Sequence, residues 1–260
     1  MFHRILEWRQ RRVLDRCAID AGLWEQLLAE LPILAGLDAD AAQRLHRHAS
    51  LFLHERDLVP MAGLEVDAGM RAALAAVACL PVLNIGLRAY RGGQTVLVYP
   101  GSFLANHVYT DEAGVIHEET APLAGEAWDG GPLVFSWDDV VESLEALDGY
   151  NVVIHECCHQ LDMANGDANG MPPLPAGMDP SAWSAAFSAA FDALHASLDA
   201  GETPVLDPYA AESPGEFFAV ACEAFFECPR LLRETLPAVH AQLTAYFHQD
   251  PAERLPPPDP

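Results

Sequence analysis

"NVVIHECCHQLDMANGD", residues 151–167, decides how this chain is to be read. Val152, Val153 and Ile154 lead into His155-Glu156-Cys157-Cys158-His159, and Asn165-Gly166 closes the segment. On an α-helix, residues four apart project from one face, so His155 and His159 can aim ring nitrogens at one point. Glu156 is offset by one residue and can stand beside that point without occupying it. A catalytic zinc ion needs this arrangement: imidazole ligands, an open position for water, and a carboxylate to take a proton. A random ordering of the same composition, with its 11 histidines, produces the pattern about 0.03 times. The blander alternative is a pair of core histidines satisfied by backbone or carboxylate groups. The apolar lead-in argues for a metal, because burying two histidines and a glutamate costs free energy unless something pairs with them. A second His-Glu pair, His117-Glu118, is a decoy: Ala121 stands where the second histidine is needed.

A catalytic zinc usually takes three protein ligands. The downstream stretch "DPYAAESPGEFFAVACEAFFECP", residues 207–229, offers Glu212, Glu216, Glu223 and Glu227. Ser213-Pro214-Gly215-Glu216 also fits a capping box, in which Glu216 would reach back to the helix start. Spacing alone leaves Glu216 and Glu223 tied. Cys157 and Cys158 face away from the metal side of the helix and read as buried filler.

Around these segments the chain is mixed. Residues 1–60 read as helical, with apolar residues at helical spacing in "LWEQLLAELPIL" and after the aspartates of "DADAAQRLHRHASLFLHER". Residues 66–80 read as a further helix closed by Pro81. "PVLNIGL" (81–87), "QTVLVYP" (94–100) and "GPLVFSW" (131–137) read as strands bounded by Gly, Pro and Asn. "SWDDVVESLEALDG" returns to helix, with Ser136 as N-cap and Asp138-Asp139 in the first turn. The motif helix is expected over 148–164, followed by a Gly/Pro-rich loop at 167–181 that suits either a lid or a rigid turn, then by two amphipathic helices. The expected division is a helical N-terminal subdomain at 1–75, a catalytic domain at 76–250 and a flexible tail at 251–260. Strands 94–99 and 132–137 should carry the motif helix on one face of a sheet. An extended peptide could add to an exposed edge at Trp128 or the run after it.

The charge balance narrows the partners. The 260 residues carry a formal net charge of −24, every basic residue is arginine, and none lies between Arg91 and Arg230. Such a segment repels phosphate backbones, which excludes direct nucleic-acid binding. It also lacks the arginine fork that would hold a peptide's C-terminal carboxylate, so a free amine suits the chain better. The blander reading of the charge is a solvated acidic surface. No apolar run reaches the roughly 18 residues of a membrane span. The N-terminus has no secretory pattern, and the six scattered cysteines suggest reduced thiols, so a cytoplasmic protein is expected.

"VVIHECCHQLDMANGD" and "DPYAAESPGEFFAVACEAFFECP" together resemble the Mlc titration factor A family of bacterial zinc metallopeptidases. The likeness extends to "LEVDAGMRAALAAVACLPVL", "TVLVYPGSF", "GEAWDGGPLVFSWDDV" and "FHQDPAERL". The same two segments are more distantly similar to the catalytic domain of lethal-factor-type toxins. The resemblance implies an α/β (α+β), zincin-like metallopeptidase fold with a mixed β-sheet and a helical N-terminal part. It implies Zn²⁺ held by His155, His159 and Glu216, with Glu156 as general base. Tyr209 matches a tyrosine that stabilises the oxyanion, the blander role being a loop aromatic at the surface. Asp162 would orient a ligand histidine or anchor a loop. Aminopeptidase-like action on peptide substrates is implied, as is binding of an Mlc-type transcriptional repressor that relieves repression of sugar uptake. The alternative is a non-catalytic zinc protein that sequesters a transcription factor. The chain departs from the family in placing cysteine at both variable motif positions and in lacking lysine.

Overall fold

Aspartates start the N-terminal helices. After α1 (Phe2–Cys17), Asp20 accepts the Leu23 N–H to open α2 (Ala21–Glu30). Asp38 caps α3 (Ala39–Glu55) through the Ala41 N–H, and Asp67 caps α4 (Ala68–Cys79) through the Met70 N–H. Each such cap is worth about 1 kcal/mol to its helix. The molecule is seen in a computed structural model that describes residues 2–90, 95–110, 116–127 and 131–256, the backbone alone being described at 2–7, 9, 103–110 and 116–123.

Between α3 and α4 lies a short strand, β1 (Asp57–Pro60), in a segment expected to be helical as far as residue 60. It exists because it pairs in parallel with β2 (Thr95–Tyr99), a partner nearly forty residues away. The reverse correction applies to "PVLNIGL". Residues 81–85 are turns, and a 3-10 turn follows at Leu87–Ala89; the segment buries Val82 and Leu83 without joining a ladder. Next come β3 (Phe103–Thr110) and β4 (Ile116–Leu123), an antiparallel hairpin that forms its own two-stranded sheet. Then β5 (Gly125–Ala127) and β6 (Leu133–Ser136) complete a four-stranded sheet in the order β1-β2-β6-β5. Its β1, β2 and β6 are parallel, and β5 runs antiparallel to β6. Trp128 lies outside the described residues. The run after it, β6, is an interior strand paired on both sides, and among the described residues the edge on this side of the sheet is β5.

Ser136 ends β6 and accepts the Asp139 N–H, opening α5 (Trp137–Glu145) as expected. The motif helix, α6 (Val152–Asp162), begins four residues later than expected because Asn151 caps it through the Ile154 N–H at 3.0 Å. A 3-10 turn over Met163–Asn165 finishes it, and Gly166 stops it at φ +145°, a conformation that favours glycine. The helices α7 (Pro180–Asp199), α8 (Pro214–Glu227), α9 (Pro229–Thr235), α10 (Pro237–Phe247) and α11 (Pro251–Arg254) follow, each with proline in its first turn.

Helix α4 is buried from Ala72 to Cys79 and packs on α3 and α6, while α6 packs on α8. The boundary expected at residue 75 therefore falls inside α4, and buried side chains on both sides of it belong to one core. A rosette of Trp183, Phe187, Phe217, Phe218 and Tyr246 fixes α7 and α10 against α8. The tail expected to be flexible from residue 251 is ordered further: α11 forms, Ala252 and Leu255 are buried, and Arg254 donates to the Ile33 and Ala35 carbonyls at 2.8 and 2.7 Å. The result is the mixed α/β architecture of a zincin-like metallopeptidase, with its histidine helix in the core. No helix among the described residues is long and apolar enough to cross a membrane.

Candidate active site

Two core helices build the site. On α6, His155 and His159 stand one turn apart, with their ring centroids 4.7 Å from each other. On α8, Ser213 accepts the Glu216 N–H at 3.1 Å, which starts the helix and places Glu216 in its first turn. Half of the expected capping box is thus present. The Glu216 carboxylate, however, turns to the histidines, with Oε2 3.0 Å from His155 Nε2 and 3.2 Å from His159 Nε2. The two Nε2 atoms are 3.1 Å apart. Glu223 meets the other side of His155, its Oε1 lying 2.8 Å from Nδ1. Its second oxygen accepts the Asn151 backbone N–H. Glu216 and Glu223 thus face different ring nitrogens of His155, Glu216 the Nε2 and Glu223 the Nδ1. A His155 that gives its Nδ1–H to Glu223 would have the Nε2 lone pair free for a metal at the shared point once the Nε2 proton is lost.

The donor set fits a small cation. Among the described residues, His155, His159 and Glu216 are the group whose ligand atoms converge, all within 4.8 Å of one another. A tetrahedron with bonds of about 2.0–2.1 Å has edges of roughly 3.3 Å, close to the three separations above, and its two nitrogens and one oxygen suit zinc. With no ion considered, hydrogen bonding to both histidines outweighs burial at Glu216 and pulls its carboxyl down to about 2. Burial opposes charge on His155, but Glu216 and Glu223 outweigh it and hold that imidazolium well above its usual range.

Glu156 is 6% exposed. Burial pushes its carboxyl up to about 7, although His155 and His159 pull the other way. The edge strand β5 lies directly over it. A Cβ added at Gly125 would stand 2.7 Å from Glu156 Oε1 and 2.8 Å from Val152 Cγ2, so only glycine lets the strand come this close. Tyr209 sits in a 3-10 turn, Pro208–Ala211, that Asp207 opens by accepting the Tyr209 N–H at 2.8 Å. Its ring centroid is 6.0 Å from that of His155 and it is 45% exposed, so it borders the centre rather than packing in the core. Burial, then the charges of Glu216 and Glu212, raise its phenol and keep it a proton donor.

Asp162 acts on the loop. Its Oδ2 accepts the Gly170 N–H at 2.6 Å, while Trp183 Nε1 donates to the Gly170 carbonyl at 2.9 Å. The loop is therefore tied to α6 and α7 around Gly170. Asp162 Oδ1 and His159 Nδ1 are buried without hydrogen-bond partners among the described residues. Cys157 and Cys158 are buried filler, as read from the helix face, and burial pushes the Cys157 thiol up to about 12. The decoy His117-Glu118 lies on β4 of the separate hairpin.

One network escaped the sequence. Glu227 accepts N–H groups from Asp148 and Gly149 at 3.2 and 3.4 Å and the Asn151 amide at 2.8 Å, and Ser143 Oγ accepts the Val152 N–H at 3.0 Å. These bonds shape the 148–151 turn that launches α6. The available signal was the spacing of Glu216, Glu223 and Glu227, seven and eleven residues along one face of an otherwise apolar helix. A cleft of about 670 Å³ opens beside the centre, reached by Gly125, His155, Glu156, Glu223 and Tyr209.

Residues 5–248 match the model of a family described as glucose-regulated metallo-peptidase M90. The chain is 37% identical to the Mlc titration factor A of an Enterobacter species over 235 residues, 89% of this chain and 88% of that protein. It is 37% identical to the protein of the same name in Salmonella arizonae, across 90% of this chain and 93% of that one. With the Serratia proteamaculans protein of that name it shares 37% identity over 89% and 88%.

Proposed function

The chain belongs to the glucose-regulated metallo-peptidase M90 family, and from that premise we propose that it is a zinc-dependent peptidase of aminopeptidase-like action. His155, His159 and Glu216 hold the metal, Glu156 is the general base, and Tyr209 donates to the developing oxyanion. The observation that carries this reading is the convergence of three ligand atoms beside a buried carboxylate. Zinc, when bound, supplies Lewis acidity and a water that ionises near neutral pH. The chain's own groups do the rest. Glu156, buried and titrating near 7, takes a proton from the attacking water and returns it to the leaving amine. Tyr209 keeps its phenolic proton and offers it as a hydrogen bond to the carbonyl oxygen as charge grows there. Glu223 fixes the ring of His155, and the β5 edge offers backbone groups to an extended peptide.

Metal content and hydrolysis of amino-acid nitroanilides, measured together, test this. About one zinc per chain with hydrolysis that Glu156→Gln abolishes while zinc stays bound is the expected result. Zinc without hydrolysis of any peptide would favour a non-catalytic binding protein instead. A second partner follows from the name shared by the relatives: a transcriptional repressor of the Mlc type, bound without direct contact to nucleic acid. That binding should survive Glu156→Gln, because it needs no proton transfer. Six free cysteines suit the reducing cytoplasm, where such a repressor would act.

A further inference from the structure

Six large apolar side chains are exposed among the described residues, and four of them, Tyr150, Val205, Tyr209 and Leu231, line the same cleft beside the metal-ligand cluster. Folding leaves apolar groups in water everywhere, but it scatters them; their concentration around one concavity marks a binding site. Buried apolar groups continue the wall: Val220 and Ala224 from one face of α8, and Leu232 from α9. The volume of about 670 Å³ falls in the usual range for small-ligand sites and admits a large side chain together with its backbone. Four carboxylates, Asp148, Glu156, Asp207 and Glu223, line the cleft against one basic side chain, His155, which Glu223 already pairs. Asp148 and Asp207 border the cleft, each holding its turn by accepting a backbone N–H through Oδ1, from Tyr150 at 3.0 Å and from Tyr209 at 2.8 Å. No lysine or arginine is among the lining residues.

We propose that this cleft selects peptides in which a bulky apolar side chain lies next to a cationic group, Leu231 and Val205 contacting the side chain and Asp148 and Asp207 the charge. The assignment rests on the peptidase reading and names its substrate class. The cation is the peptide's own α-ammonium group or a neighbouring lysine or arginine. Acidic peptides are disfavoured, because their charge would enter a cleft that already holds Glu156 and Glu223.

The test uses the full-length, zinc-loaded protein and matched short peptides that carry Phe, Leu, Ala or Glu at the varied position. Each is made with a free or an acetylated N-terminus, with and without an added lysine. Products are followed by mass spectrometry, and kcat/KM is compared within the set. Phe and Leu peptides should exceed the Ala peptide by about tenfold to a hundredfold. Leu231→Ser should cut that ratio about tenfold; this side chain is 49% exposed, so the fold does not depend on it. The double variant Asp148→Asn/Asp207→Asn keeps both turn-holding oxygens and removes both charges. It should lower the preference for cationic peptides by about threefold to fivefold, most clearly at low salt. Loss of rate on acetylation that an added lysine does not restore assigns the cation to the α-ammonium group; restoration assigns it to the side chain. Equal rates on Ala and Phe peptides, or a preference for Glu, would overturn the proposal while leaving the peptidase reading intact. If zinc is bound and nothing is cleaved, that reading fails by itself. Calorimetric binding of the same peptides to the Glu156→Gln protein then decides: the same order of affinity upholds the cleft assignment, and no binding ends it.

Discussion

Glu216 and Glu227 stand at opposite ends of one helix and behave in opposite ways. Glu216, in the first turn of α8, is partly exposed, meets two imidazoles and stays ionised down to about 2. Glu227, in the last turn, is 3% exposed, and burial pushes its carboxyl up to about 8 although neutral N–H donors surround it. The helix dipole favours a carboxylate at the first position and opposes one at the second. The two residues are of one type and differ in what they face: Glu216 meets the two imidazoles of the proposed metal site, whereas Glu227 accepts the N–H groups of the 148–151 turn.

Glu216→Ala would break the comparison most severely. We expect nearly complete loss of zinc, with hydrolysis reduced about a thousandfold or more. Metal analysis after dialysis checks it, and full zinc retention would move the third ligand to another residue. Glu223→Gln should leave the metal site formed but loosened, with zinc affinity lower by about tenfold to a hundredfold in a chelator competition. An unchanged affinity would show that His155 needs no such support.

Glu227 gives the pH test. Its folded value, about 8, is above the usual 4.5, so the folded state binds the proton more tightly. Its contribution to stability is complete below about 4.5 and is lost as pH rises through about 8. The full loss is on the order of 5 kcal/mol. Urea unfolding at pH 5 and pH 8.5 should show this fall in the parent and a smaller one in Glu227→Gln. Parallel pH profiles for the two proteins would count against it. Ser213→Ala should have the smallest effect: about 1 kcal/mol of stability through the lost cap and less than tenfold in zinc affinity. A larger drop in affinity than in stability would show that the cap mainly aims Glu216.

The capped helices were legible because a cap is local. Ser136, Ser213 and the Gly166 stop each depend on neighbours within three or four residues. β2 and β6 were legible from short apolar runs between turn residues. The three residues of β5 have no strand character of their own; Gly125, Glu126 and Ala127 are a strand only because β6 pairs with them. β1 depends in the same way on β2, and "PVLNIGL" had the composition of a strand but no partner to pair with. Of the edge expected at Trp128 or the run after it, Trp128 lies outside the described residues and the run after it, β6, is interior.

From the sequence alone came His155, Glu156 and His159 on one helix, because helical periodicity places them together whatever surrounds them. The acidic character and the absence of lysine were likewise plain in the composition. Spacing left Glu216 and Glu223 tied and the family resemblance pointed to Glu216; the tertiary structure brings that carboxylate to both histidines, since α6 and α8 meet across a separation of 61 residues from His155 to Glu216. It also decided that Gly125 lies over Glu156 and that Tyr150, Val205, Tyr209 and Leu231 share one cleft. Those facts depend on how buried helices pack and which strand forms the edge. Packing is set by the whole core at once, and no local pattern in the chain records it.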